Sequence, residues 1–430
     1  MSEITTITME QLAVGLYIYL DLKWIEQPFA FGQFRIKNDE QIRIIRGLGL
    51  ATVRYNPALS SVTPAPAAAP APVPMPAEIA TAPAASAQAA EIAPALAAKQ
   101  AMLARAKHQR EASARVVAAF ADTARTIRTI DKNLLAQPAA TVKEAGALVA
   151  RIADAILSEP ELAIHVMADN MGGDDLHYHS LNVTVLSMMM ARDIGLPSAV
   201  IGTLGMGALF HDIGNLQVPE RLLVQPGALT SAERHFVELH TSYGTAIGQQ
   251  VQLAAGVQAI IGAHHEFADG SGYPARLKGE AIGLLTRIVT IANYYDELCN
   301  PPHIGDALTP HEALSQMFAK ERAKFDAKVL QLFIRCLGVY PPGTIVQLSN
   351  GVIGMVTSVN TARPMKPIVM VHDPSVPKEE AILVDMAHET EFNIAKAVRP
   401  AQVPRDVYAY LSPRRRVSYY FDGGSAAGAK

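Results

Sequence analysis

Apolar and polar positions along the chain change period three times. Val14 to Leu20 and Ala51 to Tyr55 alternate as short strands, and Asp39 to Arg46 between them carries the i, i+3, i+4 spacing of a helix, with Asp39 standing where an N-cap belongs. These elements predict a small α/β unit over residues 1–60. From about residue 97 the spacing is helical and stays so for over two hundred residues. Leu103, Val116, Val117, Phe120, Ile127 and Ile130 mark a long helix over 97–136. Its apolar stripe can serve dimerisation or packing onto the next domain. Val142, Ala145, Leu148, Val149, Ile152 and Ile156 repeat the pattern until Pro160 stops it. Further helices are expected from Asp174 or Asp175, over Val200 to Gly214 (ending at the glycine), from the Thr230 cap to His240, over Val251 to Phe267, and over Ile288 to Leu298. After Tyr340-Pro341-Pro342-Gly343 the period returns to two. Thr344–Leu348 and Val352–Val359 flank Asn350-Gly351, a type I′ hairpin signal, and strands at 367–371 and 382–384 complete a β-rich appendage over 341–420.

Between the first two regimes the pattern vanishes. Residues 61–96 are dominated by Ala and Pro, with Pro64, Pro66, Pro70, Pro72, Pro74 and Pro76 closely spaced. No core can form from such a segment, and its prolines favour extended polyproline II, so it reads as a linker. The expected order is therefore 1–60, linker 61–96, a helical region 97–340 with its core at 140–340, and the appendage. The fold class is mainly α.

Composition narrows the function. The chain has 430 residues, 37 basic against 40 acidic, and a net charge of −3, which gives no electrostatic footprint for a long nucleic acid. Cys299 and Cys336 are the two cysteines, too far apart for a zinc motif, and they argue for a reducing compartment. With no signal-peptide pattern at the N-terminus and no apolar run approaching the roughly 20 residues that span a bilayer, the expectation is a cytoplasmic protein off the membrane.

The chemistry concentrates between Leu209 and Pro274. His211-Asp212 offers an imidazole nitrogen and a carboxylate able to bridge two cations; His240 and His264-His265 add three more imidazoles. Such ligands suit borderline metals such as Fe, Mn and Zn. Asp175 and His179, four apart, share one helical face and can address the same ion. Met188, Met189 and Met190 read as core, and His235 as a surface or structural residue. Arg414-Arg415-Arg416 reads as solvated basic surface.

In this order, His179, His211-Asp212-Ile213-Gly214, Pro226 to Thr230, His240, His264-His265-Glu266, Asp269 to Pro274, Arg287-Ile288 and Phe325-Asp326 resemble the HD-GYP branch of the HD phosphohydrolases, bacterial cyclic di-GMP phosphodiesterases. Gln11-Leu12, Val14-Gly15 and Trp24 are similar to a small domain found ahead of such units. The resemblance implies an HD-type helical bundle holding two or three divalent ions, commonly iron or manganese. His179, His211 and Asp212 would hold one metal, and Asp212 would bridge to a second held by His240, His264 and His265. Asp175 would add a carboxylate to the first metal or to a third ion, and Asn293 falls where the family has a further aspartate ligand. Asp212 is thus the central catalytic residue. Asn215 stands where the family has a lysine, and Pro301 to Gly305 where it has basic residues. Asn215, Arg287 and Gly272-Tyr273-Pro274 are the expected substrate or partner contacts, the last also for a signalling protein. The resemblance implies hydrolysis of cyclic di-GMP to linear dinucleotide or GMP. The alternative is a degenerate relative that binds metal and signals through a partner.

Overall fold

A computed structural model describes residues 5–22, 29, 32–64, 107, 111, 119, 122–158, 163–166, 175–223, 227–301, 306–360, 363–374, 376, 378, 381–389, 392–411 and 419–421. The side chains at 158, 163–166, 175–177, 360 and 419–421 lie outside that description. The expectations for the linker, for Trp24, for most of the 97–136 helix, for Pro302 to Gly305 and for the triple arginine also fall outside it. The described part of the chain is mainly helical, with a small α/β unit before the helices and a β-rich sheet after them, as the periodicity implies.

Two compact units are present, the first made of Met1–Gln109 with two short later segments, the second of the remainder. In the first, strands β1 (Thr5–Thr8), β2 (Tyr17–Tyr19), β3 (Gln33–Arg35) and β4 (Thr52–Tyr55) form an antiparallel sheet in the order β1-β4-β2-β3. Helix α1 (Asp39–Gly47) covers it through Ile42 and Ile45, which join Leu16, Ile18, Ile36 and Val53 in one core. The cap of α1 is Asn38 rather than Asp39: the Asn38 side chain accepts from the Gln41 backbone N–H, which leaves Asp39 in the first turn. Strands β1 and β3 escape the sequence pattern because each is only three or four residues long and neither alternates between buried and exposed positions.

The second unit is built on helices α2 (Pro138–Ser158), α3 (Asp175–Ile194), α4 (Ser198–Phe210), α5 (Glu220–Leu223), α6 (Ser231–Glu238), α7 (His240–Gln250), α8 (Ala255–Ala263), α9 (Leu284–Cys299), α10 (Pro310–Ala319) and α11 (Ala327–Leu337). One continuous apolar core runs through all of them except α5 and α6. Met188, Met189 and Met190 lie wholly within it beside Ile201, Leu204, Phe210, Ile260, Ile288, Tyr295 and Phe333. The methionines are filling, as soft unbranched side chains usually are.

Three helix boundaries differ from the periodicity, each for a local reason. Helix α4 stops at Phe210, and Gly214 sits inside a 3-10 turn over Ile213–Gln217 instead of ending the helix. A Cβ on Gly214 would collide with the His240 carbonyl, so the glycine permits a close backbone approach. The capping-box helix from Thr230 ends at Glu238, and His240 opens a separate helix, with Leu239 as the joint. The expected Val251–Phe267 helix shrinks to Ala255–Ala263 because Gln252 is left-handed (φ 60) and interrupts the run.

The later strands are β6 (Ile345–Leu348), β7 (Ile353–Asn360), β8 (Ile368–Val371), β9 (Ile382–Asp385), β10 (Ile394–Ala397) and β11 (Tyr419–Phe421). The hairpin at Asn350-Gly351 exists, but not as type I′. Among the described residues the left-handed non-glycines are Gln252 and Arg276, so Asn350 is not one of them. Gly351 alone is left-handed (φ 88), and its N–H donates to the Leu348 carbonyl. Strand β5 (Ala163–Val166), from the connection between α2 and α3, joins this sheet antiparallel between β7 and β11, in the path β10-β6-β7-β5-β11. Four residues between two helices carry no strand signal, so periodicity could not assign them there. Helix α12 (Arg405–Leu411) packs its Val407 and Leu411 with Ile345 and Met355. Among the described residues no helix is long and apolar enough to cross a membrane.

Candidate metal centre

The last carbonyls of an α-helix have no intrahelical partner, and here three of them are taken by histidines. His211 follows α4, and its Nδ1–H donates to the Ala208 carbonyl at 2.7 Å. His264 follows α8 and donates to Ile261 at 2.8 Å. His240 follows the break after α6 and donates to Val237 at 2.7 Å. A carbonyl can only accept, so each Nδ1 carries the hydrogen and each Nε2 presents a lone pair. All three side chains are buried, His211 and His264 completely.

Those lone pairs converge. His240 Nε2 lies 3.2 Å from His264 Nε2, and His211 Nε2 lies 3.1 Å from His179 Nε2. In the first pair both hydrogens are committed to backbone carbonyls, so two acceptors face one another with no proton between them. That arrangement is unfavourable unless a cation is shared, and it is what a metal site requires of its ligands. Asp212 stands between the groups. Its Oδ1 is 3.3 Å from His240 Nε2 and 3.5 Å from His264 Nε2, while its Oδ2 is 3.6 Å from His211 Nε2 and 3.8 Å from His179 Nε2. Two donor groups result, Asp212-His240-His264-His265 and His179-His211-Asp212, sharing one carboxylate. The donor set fits divalent ions of the borderline class.

Charge in the site follows from burial. Burial drives His211 down to about 3 and lowers His240 and His265 as well, keeping these imidazoles neutral, the form that ligates. Asp212 stays ionised, its carboxyl held well below the usual range although burial works against the charge. His179 differs. Burial pushes its pKa down, but the Asp296 carboxylate, 2.7 Å from Nδ1, outweighs it and lifts the group to about 9.

Helix α9 supplies that carboxylate. Asp296 is fully buried; its Oδ2 meets His179, and its Oδ1 accepts from the Asn182 and Asn300 amides at 2.8 and 2.9 Å. Nothing in the helical period of α9 says that Asp296 orients a histidine. Asn293, one turn earlier, is 2 % exposed; its amide nitrogen donates to Glu297 at 3.0 Å and its Oδ1 has no partner. The Asn215 Oδ1 is also buried without a partner. Asp175 opens α3, and its side chain lies outside the described residues.

The Asp269–Pro274 loop closes over this arrangement. The Tyr273 ring stacks on His265 with centroids 4.6 Å apart and meets His240 edge-on at 6.3 Å. Its N–H donates to the His265 carbonyl, and a Cβ on Gly272 would collide with that same carbonyl. Glu266 holds the far side of the loop: its buried carboxylate accepts from the Ala275 and Leu277 N–H groups at 2.6 and 2.8 Å. Pro274 is exposed. Arg287 forms an ion pair with Asp326, which caps α11 through the Lys328 and Val329 N–H groups. His235 is 75 % exposed at its side chain and remote in role, as its position on α6 implies.

The family model described as "HD domain" matches residues 152–329, the stretch that carries both donor groups. This region is an HD domain. A "Domain of unknown function (DUF3391)" matches residues 4–135, and a "KOW domain associated with HD domain" matches 345–405. Among curated proteins the HD-domain chain is 31% identical over 210 residues to cyclic di-GMP phosphodiesterase PA4108 of Pseudomonas aeruginosa, covering 49% of this chain and 50% of that one. It is 33% identical over 149 residues to the cyclic di-GMP phosphodiesterase response regulator RpfG of Xanthomonas campestris, covering 34% and 39%. A 3′3′-cGAMP-specific phosphodiesterase 3 of Vibrio cholerae is 32% identical over 163 residues, covering 38% and 35%. The chain thus spans half or less of the length of these relatives. A solved structure of Bd1817, a HDG"Y"P protein from Bdellovibrio bacteriovorus, is similar at 15% identity and a TM-score of 0.43, covering 77% of this chain and 98% of that one.

Proposed function

We propose that this HD-domain chain is a metal-dependent phosphodiesterase that opens cyclic di-GMP to the linear dinucleotide or to GMP. The observation that carries the reading is Asp212, one carboxylate with each oxygen turned to a separate set of imidazole lone pairs. His179, His211 and Asp212 would hold one ion, and Asp212, His240, His264 and His265 a second, with iron or manganese suited to the donors. A bound pair of divalent ions acidifies water and neutralises charge on a phosphodiester.

The chain's own residues do the rest. The backbone carbonyls of Ala208, Val237 and Ile261 fix three imidazoles as Nε2 ligands, and Asp296 fixes the fourth. Tyr273, stacked on His265, narrows the approach to the histidines from the loop side and offers a ring face on which a purine can stack. Its hydroxyl stays protonated, since burial pushes the pKa far up, and so remains a donor toward a phosphate oxygen. Asn215 and Asn293 contribute no charge, which favours a second reading in which hydrolysis is weak and the loop serves a signalling partner. Relatives named for cyclic di-GMP and for 3′3′-cGAMP make the two dinucleotides the substrates to compare.

The test is turnover of both dinucleotides by protein purified anaerobically under reducing conditions with iron or manganese retained. Turnover of cyclic di-GMP, lost in Asp212→Ala and preferred over 3′3′-cGAMP, is the expected result. Full metal content without turnover of either would leave the partner reading in its place.

A further inference from the structure

The Asp269–Pro274 loop belongs to a longer excursion that leaves at Ala268 and returns at Gly279, where the Gly279 N–H donates to the Ala268 carbonyl at 3.0 Å. A compact loop closed at its neck is placed by whatever holds the neck. Here that is Lys324. Its carbonyl accepts from the Ala268 N–H at 2.7 Å, and its ammonium stands 5.1 Å from the centre of the Phe267 ring, the residue just before the neck. The ammonium is itself fixed. It lies 4.8 Å from the centre of the Tyr294 ring, donates to the Tyr294 hydroxyl at 3.0 Å and pairs with Glu321 Oε1 at 3.4 Å. The Tyr294 hydroxyl donates in turn to Glu321 Oε2 at 2.7 Å. Phe267, Tyr294 and Phe325 meet edge to face, with ring centroids 5.2 to 6.0 Å apart.

The ordinary use of such a cluster is to brace the 3-10 turn over Arg322–Lys324. Two observations point past it. Asp326 already anchors the chain after this turn, through the Lys328 and Val329 N–H groups and the Arg287 pair. The side chains of Lys324 and Glu321 are only 28 % and 21 % exposed, and a cation meets ring faces more strongly where water is partly excluded. What the ammonium grips is the root of the segment that lays Tyr273 on His265. Tyr294 belongs to α9, two residues before Asp296, so the same contacts tie the loop to the helix that orients His179.

We propose that Lys324 is the positioning residue of this loop: held by Tyr294 and Glu321, its ammonium fixes Phe267 and so sets Tyr273 against His265, where a base of the dinucleotide would stack. Lys324 acts through Tyr273 and not by contact with the reacting atoms. The effect on substrate rests on the phosphodiesterase reading; the placing of Tyr273 does not.

The experiment compares the manganese-loaded full-length wild type with Lys324→Met and Lys324→Arg, by hydrogen exchange of the backbone and by kinetics on cyclic di-GMP. Lys324→Met keeps the backbone carbonyl contact and removes the charge, and Lys324→Arg restores the charge. In Lys324→Met, exchange over 268–279 should be about tenfold faster while α3 and α9 stay unchanged. KM should rise about tenfold, the worth of one stacked base, with kcat within about twofold of the wild type. Lys324→Arg should return both toward the wild type, and elemental analysis should find equal manganese in all three. Unchanged loop exchange, a uniform rise over the whole domain, or a loop-specific rise with KM unmoved would overturn the proposal. A wild type that does not turn over the dinucleotide would remove the phosphodiesterase reading instead. Loop exchange then decides alone: a rise confined to 268–279 supports the positioning role, and its absence overturns it. If Lys324→Met does not fold, Tyr294→Phe takes its place under the same outcomes, since it keeps the three rings and removes the hydroxyl shared by Lys324 and Glu321.

Discussion

Asp296 Oδ2 sits 2.7 Å from His179 Nδ1, and the opposite oxygen of the same carboxylate accepts two amides, from Asn182 and Asn300. This arrangement leaves Asp296 no freedom to be anything but an acceptor on all sides. His179 must therefore keep a hydrogen on Nδ1, and a metal at Nε2 would displace the second proton that its raised pKa retains. In Asp296→Asn the two amides would claim the new side-chain oxygen, and the new NH2 would face His179. The imidazole would then accept on Nδ1 and place its hydrogen on Nε2, pointing into the donor group. The expected outcome is a 10- to 100-fold loss in metal affinity at the His179 group, the usual range for an orienting partner, with the fold retained. Elemental analysis and Mn(II) titration check it, and unchanged affinity would contradict the tautomer argument.

The Gly272 position tests how the loop is held. A side chain there meets the His265 carbonyl, the Phe267 N–H and the Glu266 Cα, all backbone atoms that cannot swing aside. Gly272→Ala should push the loop outward and unstack Tyr273 from His265. A stability loss of about 1–3 kcal/mol is expected, as for other overpacked sites. Thermal unfolding measures it, and weaker binding of a cyclic dinucleotide should accompany it. Glu266→Ala should have a related effect, because it frees the Ala275 and Leu277 N–H groups.

Much of this centre was legible in the sequence because its ligands come from short, ordered motifs. His211-Asp212 and His264-His265 are adjacent in the chain, and a dipeptide needs no knowledge of the fold to be noticed. What escaped was long-range or conformational. Asp296 meets His179 across 117 positions, and nothing in the period of α9 says which histidine it faces. The role of Gly214 also escaped: periodicity read it as a helix stop, whereas it is where the 3-10 turn passes under the His240 carbonyl. His240 looked like the end of one helix because α6 and α7 together keep a helical spacing, and only the backbone shows the joint at Leu239. Strand β5 was invisible for a different reason, since a strand of four residues is defined by its partners rather than by its own alternation.

Arg287 and Asp326 give a prediction on stability and pH. Asp326 both pairs with Arg287 and caps α11, and although partial burial opposes its charge, the Val329 N–H and the guanidinium hold its pKa below the ordinary value. A depressed carboxylate contributes stability that is fully present above the unfolded pKa, near 4, and is lost as pH falls through the lower folded value. The contribution should therefore be constant at neutral pH and disappear only below about pH 4. Asp326→Ala removes the cap and leaves a half-buried guanidinium alone, for an expected loss of about 2–4 kcal/mol at pH 7. Denaturant unfolding at pH 7 and pH 3 checks both claims: the difference between variant and parent should shrink in acid. A difference that stays constant would show that the cap geometry, not the charge, matters.

The final prediction concerns metal removal. In the metal-free chain His240 and His264 turn lone pairs toward each other at 3.2 Å, and both hydrogens are tied to backbone carbonyls, so neither ring can relieve the contact by exchanging tautomers. Binding a cation to the folded state alone stabilises it by mass action, about 2.7 kcal/mol when free metal is a hundred times the Kd. Stripping the metal with a chelator should therefore lower the Tm of the wild type by several degrees, and Mn(II) or Fe(II) should restore it. In Asp212→Ala the shared carboxylate is gone from both donor groups, and the chelator-dependent shift should collapse. His235→Ala, on the exposed face of α6, should behave as the wild type does. A chelator shift that survives in Asp212→Ala would place the stabilising ion elsewhere in the chain.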